Sequence, residues 1–389
     1  MRRDPDPIPF NSPMIADGTL EYIRQTVEAM HTSGDGPFSQ RCVEILRESI
    51  GVSRVLLTPS CTSALEMSAL LLGIEPGDEV IVPSFTFSST VNAFVLRGAR
   101  PVFADVRPDT LNIDEHQIEP LIGPRTRAIV VVHYAGVGCE MDAIGEVAAR
   151  HGIPIVEDNA HGLFGTYRGR QLGTFGPLAA LSFHETKNFS CGEGGALLVN
   201  DDSYFERAEI IRDKGTDRQQ LFRGAVDKYT WVDVGSSFVL SDILAAVLYA
   251  QLRARDSILE RRRKIWDTYD REFRGELEDW GVQLPTVPEH CGQAYHMYFL
   301  ILPSLEYRRG LIQHLAERGI DSVFHYQPLH LSKMGSRLAP GGGACPVAER
   351  AGDCLLRLPF FNDLGSGDQA RVIEEVRAYG RNAARRATG

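Results

Sequence analysis

Short apolar runs alternate with amphipathic stretches along the first half of the chain, and this alternation restricts the possible folds more than any other feature. The runs lie at 54–57, 79–83, 101–104, 128–132, 153–156, 178–183 and 196–199. Most of them are too short and too rich in β-branched residues to be buried helices, so they predict strands. Helical spacing of apolar residues is found between strands at 63–72, 90–96 and 141–151. Repeated βα units of this kind predict a mostly parallel sheet with helices on both faces.

The second half of the chain has a different pattern, which indicates a second domain. A long helical stretch covers 241–280, and a strand-like run at 295–302 precedes a helical segment at 304–318. Mixed helix and strand signals continue towards the end of the chain. We therefore predict a large three-layer α/β domain over 1–255, which includes an N-terminal arm, and a smaller C-terminal α/β domain over 256–389.

Composition argues against several classes of protein. The 41 lysines and arginines and the 51 aspartates and glutamates give a net charge of −10, which disfavours nonspecific binding of nucleic acid. The seven cysteines are scattered, so neither a disulfide framework nor a zinc site is expected, and a reducing cytoplasm fits best. No apolar run approaches the ~20 residues that a membrane-spanning helix needs. We therefore expect a cytoplasmic protein without a bound metal, a nucleic-acid partner or a membrane span.

Lysine is rare in this chain, and that rarity limits any chemistry that needs a primary amine. Only five lysines occur among the 41 cationic residues, and arginine cannot form a Schiff base. Lys187 follows an apolar strand and precedes the glycine-rich turn at 191–195, a context that predicts a partly desolvated amine with a lowered pKa. The alternative is a surface lysine in a loop. Ser182, at the end of the same strand, lies where a hydroxyl is wanted for a phosphate.

Three further segments place suitable side chains directly after predicted strands, where ligands bind in open parallel sheets. Small hydroxyl residues at 58–63 precede a helix, and such residues either bind phosphate or simply cap the helix. Glu157 or Asp158 is suited to pairing with a protonated pyridine nitrogen, the alternative being a cap on the next turn. Phe87 is suited to stacking on a flat cofactor, although core packing is the more common role of phenylalanine. With Lys187, these segments describe a site for pyridoxal 5'-phosphate (PLP).

Over nearly its whole length the chain resembles the DegT family of sugar-nucleotide aminotransferases. The matching segments are PSFTFSSTVNAF at 83–94, GARPVFADV at 98–106, VEDNAHG at 156–162, SFHETKN at 182–188, GEGGAL at 192–197 and HYQPLH at 325–330. Within the family, the segments 182–201, 212–218 and 229–242 are most similar to the WecE-like branch. The resemblance implies the aspartate-aminotransferase-like fold, which is fold type I of the PLP enzymes.

The family's pattern also implies roles for individual residues. Lys187 is the catalytic residue, which binds the cofactor's aldehyde and moves protons. The implied cofactor contacts are Thr62, Ser63 and Ser182 to the phosphate, Phe87 and His161 beside the ring, and Asp158 to the ring nitrogen. The chain departs from the pattern at 235–239, where many relatives have an asparagine that reaches the partner subunit's cofactor phosphate. Ser236 or Ser237 is the expected replacement.

The resemblance implies a substrate and an assembly as well. A WecE-like enzyme transfers the amino group of L-glutamate to the C4 ketone of dTDP-4-keto-6-deoxy-D-glucose and gives a dTDP-4-amino-4,6-dideoxyhexose. Family members are homodimers whose active sites form at the interface. The candidate substrate-binding residues are Lys214 and Arg218 in a polar stretch, and His325, Tyr326 and His330 at the mouth of the site.

Several other functions remain open at the level of sequence. A C3-keto sugar aminotransferase belongs to the same family, whereas relatives that remove a sugar hydroxyl carry histidine in place of Lys187. A nicotinamide oxidoreductase is the alternative from another class, because Gly136 and Gly138 follow a strand and Glu157 or Asp158 comes about 20 residues later. A regulator that only retains the fold is a further alternative, and it predicts decay of the motifs.

Overall fold

The computed structural model describes residues 6–388 of the chain, with side chains to residue 385. The helices in this part are α1 (Thr19–Glu28), α2 (Pro37–Ile50), α3 (Cys61–Leu71), α4 (Ser88–Val95), α5 (Glu115–Leu121), α6 (Met141–His151), α7 (Phe205–Arg212), α8 (Arg218–Phe222), α9 (Asp242–Arg253), α10 (Arg255–Phe273), α11 (Leu305–Ala316), α12 (Lys333–Leu338), α13 (Pro346–Cys354) and α14 (Ser366–Thr388). The strands are β1 (Arg54–Thr58), β2 (Glu79–Pro83), β3 (Arg100–Ala104), β4 (Thr126–Val132), β5 (Ile155–Asp158), β6 (Thr166–Tyr167), β7 (Arg170–Gln171), β8 (Leu178–Ser182), β9 (Gly195–Val199), β10 (Cys291–Gly292), β11 (Phe299–Ile301) and β12 (Leu355–Arg357). None of these helices is both long and apolar enough to cross a membrane.

A seven-stranded sheet forms the centre of the molecule, in the order β1-β9-β8-β5-β4-β2-β3. All seven runs that apolar patterning predicts as strands belong to it, and the predicted α/β fold with a mostly parallel sheet is confirmed. Strands β3, β2, β4, β5 and β8 pair in parallel, whereas β9 runs antiparallel to both β8 and β1. The carboxyl ends of the six parallel strands therefore open at the same edge as the amino end of β9.

Helices cover both faces of this sheet, because successive side chains of a strand point to opposite faces. On β4, Ala128 and Val130 pack with α3 and α4, while Ile129 and Val131 pack with α6. At the other end of the sheet, strand β1 contributes Leu57 to the layer formed with α2 and α9. The sheet is buried from both sides, which gives the predicted three-layer arrangement.

The second half of the chain builds a separate apolar cluster around α10, α11, α14 and the β11–β12 pair. The boundary predicted at 255/256 coincides with the start of α10, and the assignment of domains to 1–255 and 256–389 stays a prediction. Ile8 of the N-terminal arm lies in this second cluster and donates its N–H to the carbonyl of Gly319 at 2.7 Å. The helical stretch predicted over 241–280 consists of two helices, because Ala254 (ψ 9°) leaves the helical conformation between them.

A buried carboxylate fixes the end of β5, which carries the candidate residue Asp158. Glu157 has no exposed surface, and its Oε1 accepts hydrogen bonds from the N–H groups of Phe175 and Gly176 at 2.6 and 2.7 Å. Its Oε2 accepts from Gly173 N–H at 2.7 Å and lies 2.9 Å from His133 Nε2. Glu157 is therefore fully used in joining β5 to the loop before β8, and Asp158 is the acid left for chemistry.

Replacing Glu157 by glutamine tests this structural role. Each carboxylate oxygen of Glu157 accepts from two donors. The NH₂ group of the glutamine in E157Q is itself a donor, so it would face other donors and find no acceptor. We expect the free energy of unfolding to fall by about 2–4 kcal/mol, measured by urea denaturation of the purified protein. E146Q, on the exposed side of α6, is the matched control and should unfold as the parent does. An E157Q protein with unchanged stability would contradict the assignment.

Candidate active site

A cavity of about 440 Å³ opens at the carboxyl edge of the sheet. Its wall is formed by residues that follow β1, β2, β5 and β8, together with residues from the second half of the chain. Eight of the predicted site residues line it, namely Thr62, Phe87, Asp158, His161, Ser182, Lys187, His325 and Tyr326.

Lys187 carries the amine on this wall. It follows β8 in a turn where its N–H donates to the carbonyl of His184 at 2.9 Å. Burial lowers the pKa of Lys187 to about 8, and the charge of Arg357 contributes in the same direction. The chain therefore holds an amine that is neutral in a substantial fraction near physiological pH, which is the state needed for attack on a carbonyl.

Asp158 is a buried carboxylate that forms no direct ion pair among the described residues, although the charge of Lys187 acts on it from the same cavity. Its Oδ2 accepts a hydrogen bond from Thr90 Oγ1 at 2.7 Å, and its Oδ1 accepts one from Ala160 N–H at 3.2 Å. Burial raises the pKa of Asp158, although these hydrogen bonds oppose that effect. A protonated ring nitrogen in the cavity would supply a directly paired positive charge.

Hydroxyl groups gather around the first turn of α3, which begins directly after β1. Ser60 is the N-cap, and its Oγ accepts the N–H of Ser63 at 3.0 Å. Thr62 Oγ1 donates to Ser89 Oγ at 2.9 Å, and Ser182 approaches from β8. Gly195 at the start of β9 allows this close packing, because a Cβ there would lie 2.5 Å from the backbone nitrogen of Cys61. Hydroxyls and free N–H groups at a helix start are suited to holding a phosphate.

Three imidazole rings and an arginine form a further part of the wall. His161 stacks on His296 with ring centroids 4.2 Å apart, and burial lowers the pKa of both rings well below the usual value. His161 Nδ1 is buried and has no hydrogen-bond partner in the described structure. His325 Nε2 accepts a hydrogen bond from Arg357 Nη1 at 2.9 Å, an arrangement that requires a neutral His325 with its own proton on Nδ1.

The aromatic residues after β2 divide into a core residue and a site residue. Phe85 is 1% exposed and packs in the core, which is the common role of phenylalanine. Phe87 is 58% exposed and lines the cavity with Tyr326, whose ring centroid is 6.2 Å away. The ring of Phe87 thus offers an unoccupied apolar face to a flat ligand.

Five predicted residues do not line this cavity within one chain. Ser63 does not line the cavity, although its neighbour Thr62 does. Ser237 is exposed, and its backbone pairs with that of Asp213 in an isolated β-bridge. Lys214 forms an ion pair with Asp213 at 2.9 Å, and Arg218 lies over the ring of Phe222. His330, which the resemblance predicts at the mouth of the site, instead lies 2.6 Å from Ser84 Oγ and 3.2 Å from Glu349 Oε1, away from the wall.

Sequence reasoning missed four residues that shape the site, namely Cys61, Thr90, His296 and Arg357. Thr90 lies three residues after Phe87, about one turn of α4, so the spacing indicates that it shares a helix face with that predicted site residue. Arg357 interrupts an apolar run at 354–361, which is an unusual place for a charged side chain. Neither signal indicates what the side chain would contact.

The glycines that suggest a nicotinamide site are taken up by internal packing. A Cβ at Gly138 would lie 3.1 Å from Leu172 and 3.2 Å from Tyr167, so no groove opens there. A Cβ at Gly136 would lie 2.9 Å from the Cβ of Ala294. The carboxylate of Glu157 accepts hydrogen bonds from the loop before β8, so it is not free to bind a ribose. The turn at Gly136 and Gly138 is therefore not the open glycine-rich turn that a dinucleotide needs.

The cavity has the groups that PLP requires. Asp158 provides a carboxylate for the ring nitrogen, Lys187 provides an amine for the aldehyde, and the start of α3 provides hydroxyls for the phosphate. His161 also lines this wall, and its buried Nδ1 has no hydrogen-bond partner in the described structure.

Comparison with known proteins agrees with this geometry. The sequence model that describes the DegT/DnrJ/EryC1/StrS aminotransferase family matches residues 13–377 of this chain. The spore coat polysaccharide biosynthesis protein SpsC of Bacillus subtilis is 32% identical over 382 residues, which cover 95% of this chain and 96% of SpsC.

Solved structures show the same relationship. The aminotransferase TlmJ from Streptoalloteichus hindustanus is 33% identical with a TM-score of 0.88, and the alignment covers 97% of this chain and 99% of TlmJ. Spr1654 from Streptococcus pneumoniae, solved in a PLP form, is 27% identical with a TM-score of 0.88 over 97% of this chain and 99% of its own. The chain therefore belongs to the DegT/DnrJ/EryC1/StrS family of PLP-dependent aminotransferases, and it is a sugar aminotransferase.

Proposed function

We propose that the protein transfers the amino group of L-glutamate to the C4 ketone of dTDP-4-keto-6-deoxy-D-glucose and releases a dTDP-4-amino-4,6-dideoxyhexose. The buried amine of Lys187, with its lowered pKa, shares a cavity with the buried carboxylate of Asp158, and this is the observation that carries the transamination chemistry. The similarity of 182–201, 212–218 and 229–242 to the WecE-like branch supports the C4 position and the nucleotide. Seven free cysteines are consistent with action in the cytoplasm.

Lys187 moves the proton on which the reaction depends. When bound, PLP supplies an electron sink that stabilises the negative charge left on the donor α-carbon after its proton is removed. The neutral Nζ of Lys187 accepts that proton and returns it to the cofactor side, and it reverses the transfer when the sugar ketone is aminated. General acid–base catalysis of this kind typically contributes ~10²- to 10⁴-fold.

Asp158 would pair with the ring nitrogen and keep it protonated. Thr90 donates to its Oδ2 and thereby orients the carboxylate, and Thr86 Oγ1 lies 2.8 Å from Thr90 Oγ1 behind it. Phe87 would pack on the ring, and the hydroxyls of Thr62 and Ser182 on the cavity wall would hold the phosphate. Ser63, which the resemblance also implies, lies next to Thr62 but does not line the cavity. These contacts hold the cofactor still while Lys187 moves protons.

We further propose a homodimer in which the partner completes each site. The end of α8 and the loop that follows it expose large apolar side chains that one chain leaves uncovered, namely Phe222, Tyr229, Trp231, Val232 and Val234. Exposed apolar surface of this kind is typical of an interface. Lys214, Arg218 and Ser237 lie on the same stretch or beside it, so they would reach the partner's cavity. Their cationic and hydroxyl groups suit the diphosphate of the nucleotide sugar and the cofactor phosphate.

Replacing Lys187 by arginine should remove the cofactor adduct while keeping a positive charge. Borohydride reduction of the holoenzyme should attach PLP to the peptide that contains Lys187, and mass spectrometry of K187R should find no adduct. Turnover of K187R should fall by about 10³-fold or more. Lys264 is exposed and forms an ion pair with Glu260 on α10. The matched control is therefore K264R, which should keep the PLP adduct and the turnover of the parent. An adduct on another lysine would refute the assignment.

The lowered pKa of Lys187 predicts the pH dependence of cofactor capture. Only the neutral amine attacks the aldehyde, so the rate at which apoenzyme binds PLP should rise roughly tenfold per pH unit below about 8 and level off above it. Stopped-flow absorbance measures this rate. A rate that still rises steeply at about pH 10 would indicate an ordinary exposed lysine amine.

A panel of keto sugar nucleotides tests the proposed substrate. Holoenzyme, L-glutamate and dTDP-4-keto-6-deoxy-D-glucose should give a 4-amino sugar nucleotide, whose ring position and stereochemistry NMR assigns. The 3-keto isomer and the UDP analogue serve as controls and should react more slowly. Preferential amination of the 3-keto sugar would replace the proposed substrate with the C3 alternative.

A further inference from the structure

The segment 294–296, which follows β10, has an unusual backbone conformation and contributes to the cavity wall. Tyr295 has a φ of 52°, in the left-handed region that residues other than glycine rarely adopt. Such a conformation persists only where the surrounding contacts fix it. His296, the next residue, lines the cavity and is 3% exposed. The contacts that fix this segment therefore also determine how His296 enters the cavity.

Both halves of the chain hold the segment 294–296. Arg262 of α10 donates to two of its carbonyls at 2.7 and 2.8 Å. From the large domain, Asn188 Nδ2 donates to the carbonyl of Ala294 at 2.6 Å. Asn188 is 6% exposed and directly follows Lys187 in the sequence. This asparagine therefore joins the turn of Lys187 to the segment that carries the histidine.

The same contacts decide which ring nitrogen of His296 carries the hydrogen. A carbonyl oxygen only accepts, so the amide atom of Asn188 beside Ala294 must be the NH₂ nitrogen. The amide oxygen Oδ1 then lies 2.9 Å from His296 Nδ1, and this oxygen can only accept. Nδ1 of His296 is therefore the donor and carries the hydrogen.

Nε2 of His296 is consequently a hydrogen-bond acceptor. Burial lowers the pKa of His296 well below the usual value, and the charges of His161 and Lys187 add to this effect. The ring is therefore neutral at neutral pH, with a lone pair on Nε2. Nε2 has no hydrogen-bond partner among the described residues, but unlike Nδ1 of His161 it keeps accessible surface. Because the ring lines the cavity, this lone pair faces the space that it shares with Lys187.

Lys187 holds a positive charge in each half of the proposed reaction, because it accepts a proton before it returns it. The titratable or charged groups of the described structure that interact with this charge are Cys61 on α3, Asp158 on β5, Arg357 on β12, and the rings of His161, His296 and His325.

Few of these groups favour a positively charged Lys187. Burial raises the pKa of the Cys61 thiol well above the usual value, so this thiol is uncharged. Arg357 opposes a second positive charge. Asp158 favours it, but its carboxylate is the group expected to pair with the cofactor's ring nitrogen. The ammonium of Lys187 therefore needs a further acceptor when the cofactor is bound.

We propose that Nε2 of His296 accepts a hydrogen bond from the protonated amine of Lys187, and that Asn188 positions His296 for this contact by fixing its tautomer. The lone pair stabilises the ammonium between removal of the proton and its return. The other tautomer would direct an N–H group at the ammonium, donor against donor. Asn188 does not touch the reacting atoms and acts through His296. The inference rests on the proposed proton transfer by Lys187, but it does not require the proposed sugar.

The first test determines the tautomer of His296 in the PLP holoenzyme. ¹⁵N NMR of enzyme labelled in histidine distinguishes protonated from unprotonated ring nitrogens, and the signals of His296 are those absent from H296F. The parent should carry hydrogen on Nδ1 and none on Nε2. N188D keeps an acceptor beside Nδ1 and should retain hydrogen there, whereas N188L should lose the preference. Hydrogen on Nε2 in the parent would overturn the inference.

The second test is the pH dependence of PLP capture by the apoenzyme, which reports the pKa of the Lys187 amine. Loss of the acceptor disfavours the ammonium, so N188L and H296F should each move the midpoint to lower pH by about one unit. N188D adds a negative charge and should move it to higher pH. A merely structural effect would move N188L and N188D in the same direction, and that result would contradict the proposal.

Asn200 provides a matched control. Its Nδ2 also donates to two carbonyls, those of Gly173 at 2.9 Å and Gly176 at 2.7 Å, but it does not line the cavity. N200L should keep the parent's midpoint and the parent's tautomer of His296, even if its stability falls. A shift in N200L as large as that in N188L would mean that lost packing explains the result, and the inference would fail.

Kinetics separate this inference from the proposed function. Both half-reactions depend on Lys187, so the single-turnover rate constant with L-glutamate should fall about 10-fold in H296F, with little change in the dissociation constant of glutamate. A borohydride adduct on Lys187 together with unshifted midpoints in N188L and H296F would refute this inference only. A holoenzyme without an adduct on Lys187 would refute the proposed role of the lysine, whatever the tautomer of His296.

Discussion

The common direction of six strands is the constraint on which the site depends. Because β1, β2, β5 and β8 all end at one edge of the sheet, the turns that follow them open into one cavity. Strand β9 runs the other way, and it brings the glycine-rich segment before it to the same edge. Groups that are far apart in sequence, such as Thr62, Asp158 and Lys187, become neighbours for this reason.

Buried charged groups without an ion-pair partner gather on the cavity wall. Elsewhere, Glu157 and Arg212 are buried with full sets of partners. On the cavity wall, neither Asp158 nor Arg357 forms a direct ion pair among the described residues, and the Nδ1 of His161 is unpaired. Burying such groups costs stability, and the cost is offset when a ligand of matching charge binds. The same burial lowers the pKa of Lys187, so stability and reactivity are coupled at this edge of the sheet.

Sequence patterns predict the strands of the central sheet well, but they predict the side-chain contacts around those strands poorly. Short apolar runs mark all seven strands of the central sheet, because a strand buried on both faces leaves few polar positions. The break between α9 and α10 was not predicted, since the residues around Ala254 have ordinary helical character. Phe85 and Phe87 look alike in sequence, and only the start of α4 decides that Phe85 enters the core while Phe87 faces the cavity. His330 is predicted at the mouth of the site, but it does not line the cavity, and its imidazole lies within hydrogen-bond distance of Ser84 and Glu349.

The amino-acid sequence alone determined the α/β fold and the scarcity of lysines, and it singled out Lys187 as the amine with a reactive context. These properties follow from local order along the chain, because hydrophobic periodicity and residue type can be read in short segments. Tertiary structure alone decided that Glu157 is structural while Asp158 is free, and that Arg357 of β12 shares a cavity with Lys187. Those outcomes depend on burial and on contacts between distant segments, which no local pattern encodes.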